Sequence, residues 1–216
     1  MRAFFLNTLF FCGLSFGAVA ANINIKVVDN DNNPLPNMVV YLQPENDISL
    51  PLNDNIIEVG QFDRSFTPYI SVMQLGNTVN FKNRDDITHH IYSPIGENKF
   101  SYKIKAGQSQ IKSDFEQAGE VAMGCNIHDW MSGYLLIVDT PLFGKTNKNG
   151  ILDLAVEQPG EYQLIVWHPQ LDAPKNRFYQ QVHLLENKKI TIKINHKILK
   201  ISEQKNEEDF DFLSDY

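Results

Sequence analysis

The sequence predicts an all-β protein: a small antiparallel β-sandwich inserted in, or flanked by, a second small β-sandwich. Three observations lead there. Apolar residues recur with a period of two, clusters of Asn, Asp, Pro and Gly interrupt them at short intervals, and no stretch sustains a helical period. The hairpin that opens the chain and the strands that close it are each too few to bury a core. Together they suffice, so the middle block reads as an insertion; a tandem order with an orphaned hairpin is the alternative.

The elements follow in order. Residues 1–20 read as a cleaved secretory signal: Arg2 gives the positive start, the run from Ala3 to Ala18 is apolar, and Ala18-Val19-Ala20 is the cleavage site. That run is too short for a membrane span, which needs about 20 residues. Cys12 lacks the small residues that a lipidation site wants before it. Asn22 to Val28 alternates as a half-buried strand and stops at the turn Asp29-Asn30-Asp31-Asn32-Asn33-Pro34. Met38 to Leu42 is the second strand. Residues 45–64 are polar and weakly patterned, a loop closing the first segment, 21–64.

The middle block, 65–140, holds strands over Tyr69–Leu75, Thr78–Phe81, Ile87–Ser93, Phe100–Ile104, Gln108–Phe115, Glu120–Gly124 and Tyr134–Val138. In the last block, 141–196, strands run over Ile151–Val156, Tyr162–Trp167, Phe178–Leu185 and Lys189–Ile194. Residues 197–216 turn charged and form an acidic, mobile tail.

The formal charge is −7; loss of Arg2, the one charged residue of the signal, makes it −8. That charge argues against nucleic acid as a partner and suits a basic protein surface. Export also makes Cys125 the one cysteine of the mature chain. A lone thiol in an oxidising compartment pairs with another chain, remains a liability, or binds metal. It stands in Gly124-Cys125-Asn126-Ile127-His128-Asp129-Trp130-Met131, where thiol, imidazole and thioether follow at three-residue steps. With strands on both sides, this run must be a turn that wraps its donors about one ion. The pair His89-His90 supplies a further imidazole. One Cys, two His and a weak Met is the ligand set of a mononuclear blue-copper centre that cycles between Cu(I) and Cu(II). Structural zinc fits poorly, since its sites favour several Cys or His and no thioether. No nucleophile elbow, phosphate loop or zincin helix is present.

Residues 83–93 and 120–131 resemble the two ligand segments of the cupredoxins, and 66–140 is similar to plastocyanin and amicyanin in layout. With Trp167-His168-Pro169, these motifs also look like the exported cupredoxin-like proteins labelled methylamine utilisation proteins. The resemblance implies a Greek-key sandwich with His89, Cys125, His128 and Met131 as copper ligands. The chain departs from plastocyanin at Thr88, where that family has proline, and at His90, where it has asparagine. His90 then either braces the ligand loop or competes as ligand; period two puts His89 with Ile91 and His90 with Tyr92. Asn83 and Met123 are expected beside the site, and Ile127 and Trp130 at an electron-exchange rim. The outer strands resemble carboxypeptidase-regulatory or transthyretin-like modules. The resemblance implies a periplasmic one-electron carrier, not an enzyme, that meets redox partner proteins transiently and through charge. Copper storage or delivery without electron turnover uses the same donors and stays open, as does the oligomeric state.

Overall fold

A computed structural model describes residues 20–46 and 50–201; the signal and most of the acidic tail lie outside the described residues. Among the described residues, no helix is long and apolar enough to cross a membrane. The described residues form sixteen strands, in chain order β1 Ala21–Val28, β2 Val39–Pro44, β3 Ile56–Phe62, β4 Ser65–Thr67, β5 Ile70–Gln74, β6 Thr78–Asn83, β7 His89–Ser93 and β8 Phe100–Ile104. Then come β9 Ser109–Lys112, β10 Gly119–Cys125, β11 His128–Val138, β12 Phe143–Lys145, β13 Ile151–Val156, β14 Gly160–Trp167, β15 Arg177–Leu184 and β16 Lys188–Lys193.

They form four sheets in two sandwiches. In the outer one, β13-β1-β16 faces β12-β2-β14-β15 across a core of Ile23, Ile25, Val40, Leu42, Leu164 and Ile192. In the inner one, β5-β11-β10-β7-β8 faces β4-β3-β6-β9 across Val59, Phe81, Ile91, Met123 and Leu135. The inner strands all fall between β2 and β12, so one sandwich interrupts the other.

Two expectations change. Three of the four sheets are mixed rather than antiparallel: β1 runs parallel to β16, β5 to β11 and β3 to β6, while β12-β2-β14-β15 is antiparallel throughout. Each parallel pair joins strands far apart along the chain, which have room for the crossover that parallel pairing needs. The second change concerns residues 56–62, which the sequence reads as part of a polar loop. They form β3, which pairs with β6 and β4, so the inner sandwich begins at Ile56 rather than at 65. Gln61, polar yet 0 % exposed, hides the pattern.

A third apolar cluster joins the sandwiches. Val39, Tyr41, Ile165 and Trp167 meet Ile70, Leu136 and Val138. Their strand neighbours Val40, Leu42, Leu164 and Val166 point the other way into the outer core, and Leu135 and Ile137 into the inner one. Strands buried on both faces read as continuous apolar runs, as in Leu135-Leu136-Ile137-Val138. Gly133 of β11 lets Phe66 approach its bare backbone: a Cβ there would meet the Phe66 Cβ at 2.9 Å. Thus β11 carries His128 at one end and the inter-sandwich junction at the other.

Candidate metal centre

Three adjacent strands deliver the donors. Cys125 ends β10, His128 opens β11, and His89 opens β7, which pairs with β10 through Cys125 and Ile91. The β10–β11 ladder pairs Gly124 with Ser132 but Cys125 with His128. The connection is therefore a two-residue turn, Asn126-Ile127, and a bulge at residues 129–131, where the sequence suggests one wrapped turn. Such a bulge adds residues to one strand and re-aims side chains. The Asn126 N–H donates to the His90 carbonyl at 2.9 Å and ties the turn to β7.

The imidazoles of His89 and His128 both turn Nδ1 toward the sulfur of Cys125, at 3.6 and 3.8 Å. The three donor atoms lie within 4.8 Å of one another, and all three residues are buried. A metal about 2.0 Å from imidazole nitrogen and about 2.3 Å from thiolate sulfur holds coplanar trigonal donors about 3.5–3.7 Å apart. The two nitrogen–sulfur separations fit that triangle. Soft thiolate with imidazole suits copper or zinc, not magnesium or calcium.

Electrostatics prepare the thiol. Burial pushes the Cys125 pKa up, but hydrogen bonding with His89 and with the backbone of Ile127 and His90 outweighs it, holding the pKa below the usual thiol value. His128 moves down, through burial and then the nearby His89. For His89 burial acts downward too, yet hydrogen bonds to Cys125 and Asp85 prevail and raise it.

Asp85 is a residue that the sequence reading missed. One of its oxygens meets His89 Nε2 at 2.7 Å. The same carboxylate accepts the N–H of Asp63 at 2.6 Å and of Arg64 at 3.0 Å. Both donors sit in the left-handed region, at φ 54°, in the tight turn between β3 and β4. A carboxylate on the far nitrogen fixes the tautomer and leaves Nδ1 as the ligating atom. The signal available was its place four residues before His89 in the Asn-rich approach.

The other nominated residues divide. Met131 is 1 % exposed and shares the inner core with Cys125 and Met123. Met123 lies two residues before Cys125 on the same strand face. Asn83 is fully buried: its amide donates to the carbonyls of Ile87 at 2.7 Å and Ile104 at 2.9 Å, and its oxygen accepts the Asp85 N–H at 2.9 Å. It shapes the approach to His89. The His90 ring turns to the opposite face, with Nε2 2.7 Å from the Ser101 hydroxyl, so only its backbone braces the ligand turn. Trp130 lies beside His128, ring centres 5.2 Å apart, and Ile127 is 52 % exposed at the turn's tip.

No protein-family model and no curated protein matches the chain. Among solved structures, a copper-containing nitrite reductase from Thermus scotoductus is 23% identical over 52% of this chain and 28% of its own, with a TM-score of 0.37. The chain thus spans under a third of that enzyme. The Cu(I) form of an amicyanin variant is 19% identical over 45% of this chain and 99% of its own, at a TM-score of 0.36. A reduced amicyanin variant gives the same identity, coverage and score.

Proposed function

We propose that the chain is an exported, periplasmic copper protein that carries one electron at a time between partner proteins. The observation behind this reading is the triangle of Cys125 Sγ, His89 Nδ1 and His128 Nδ1. Copper bound there supplies a Cu(I)/Cu(II) couple. The residues do the rest. Cys125 offers a thiol whose pKa is held below its usual value, and His89 is held by Asp85 in the tautomer that points Nδ1 inward. Met131, buried in the same core, would add a weak thioether donor. All the donors stand on strands of one hydrogen-bonded sheet, so the cage changes little between oxidation states.

Two of the imidazoles differ in use. His89 is 0 % exposed and sealed by Asp85, whereas His128 is 8 % exposed beside the surface turn. Electrons therefore pass at His128, with Ile127 and Trp130 forming the rim against which a partner docks. Transient redox encounters bury little area and depend on charge. An acidic chain, −7 in formal charge, then selects a basic partner and loses rate with added salt.

Cyclic voltammetry of the copper-loaded chain tests the carrier reading. A reversible one-electron wave, with fast electron self-exchange, is expected. An irreversible response with ready surrender of copper to a chelator rejects electron carriage and points to storage or delivery.

A further inference from the structure

A cavity of about 440 Å³ lies at the junction of the two sandwiches. The metal centre makes no use of it. The outer sandwich contributes Met38, Lys145 and His168, the inner one Tyr69 and Ile70, and Leu199 closes it from the end of the described chain. Small-molecule sites run to about 300–1,000 Å³ and favour such boundaries between packed units; their apolar walls carry a few convergent polar groups.

Lys145 and His168 are the two basic side chains on these walls, beside the polar groups of Asn37 and Tyr69. The Lys145 ammonium donates to the Ile70 carbonyl at 2.7 Å, and no carboxylate pairs with it among the described residues. An ammonium carries three donors and a full charge, so a single carbonyl compensates it poorly in apolar surroundings. His168, 4 % exposed, accepts the Gln170 N–H on Nδ1 at 3.2 Å, which places its proton on Nε2. Burial lowers its pKa to about 4, so it is neutral at physiological pH.

We propose that this cavity binds a small apolar monocarboxylate, with the carboxylate on the Lys145 ammonium and the His168 Nε2–H and the hydrocarbon against Met38, Tyr69 and Leu199. One positive charge and one neutral donor match a monoanion. A phosphate dianion would leave a negative charge uncompensated among apolar groups, and an alcohol would leave the ammonium unpaired. An amine would face a like charge.

Calorimetric titration of the full chain with sodium octanoate tests this, in the metal-free and the copper-loaded forms alike. The expected result is saturable one-to-one binding that leaves the visible spectrum of the copper form unchanged. Octanol should bind at least tenfold more weakly, as should octanoate to Lys145→Met, while Lys145→Arg, which keeps the charge, should retain binding. Absence of octanoate binding at millimolar concentration overturns the proposal, as does equal binding of octanol. So does a correctly folded Lys145→Met that binds normally, or loss of binding in both lysine variants. Binding seen only when Phe210 and Phe212 are replaced by Ser in the full chain overturns it too, and assigns the cavity to the protein's own end.

Discussion

His89 of the inner sandwich and His168 of the outer one are both buried, to opposite effect. In the inner one, His89 has a carboxylate on one nitrogen and a thiol by the other, and its pKa rises despite burial. In the outer one, burial is the cause acting on His168, and its pKa falls to about 4. Burial alone keeps an imidazole neutral; a charged partner must be built in to reverse that. The inner site thus sets ionisable partners around its imidazole, while the outer sandwich holds His168 among groups that leave it neutral. One strand, β11, belongs to both regimes.

The largest expected effect breaks the apolar side. Trp167→Ala empties a fully buried position at the junction and should cost about 3–5 kcal/mol in chemical denaturation, the usual range for such truncations. If the sandwiches stand independently, metal binding survives that loss. If β11 transmits the damage, metal affinity falls with stability.

Next comes the outer histidine. Its folded pKa lies below the unfolded value of 6.5, so the unfolded chain binds more protons between pH 6.5 and 4. Stability must then fall as pH drops through that window, by up to roughly 3 kcal/mol. Denaturant midpoints measured from pH 7 to pH 4 should fall less steeply in His168→Asn, which keeps an acceptor near the Gln170 N–H. An unchanged slope contradicts the assignment.

Asp85→Asn sharpens the inner side. Removing the charge on the far nitrogen of His89 should weaken copper binding by about 10–100-fold and raise the reduction potential, as losses around metal ligands do. Competition with a chelator and redox titration read the two effects separately. The smallest effect belongs to the rim. Ile127→Lys should change stability by no more than about 0.5 kcal/mol, yet stopped-flow kinetics should show slower transfer to a basic redox protein.

Several parts of this arrangement can be read from residues alone. Cys125 and His128 are three apart between two strands, so their meeting needs no long-range information. Period two separates His89 from His90, because adjacent strand residues face opposite ways. The bulge at 129–131 is different: no residue type there demands it, and only the pairing of Gly124 with Ser132 exposes it. Asp85 looks like any loop carboxylate until the turn at Asp63-Arg64 folds against it. Gln61 and Glu58 give β3 the composition of a loop, and its partner β6 lies beyond β4 and β5 in sequence. The apolar runs on β2, β11 and β14 announce strands, but not that two of their faces meet between sandwiches.

The most direct test of the central claim is the visible spectrum of the purified chain loaded with copper, taken with metal analysis. One copper per chain and an intense absorption toward the red end are predicted, with that band abolished in Cys125→Ser. A colourless copper complex, or a band that survives removal of the sulfur, contradicts the account.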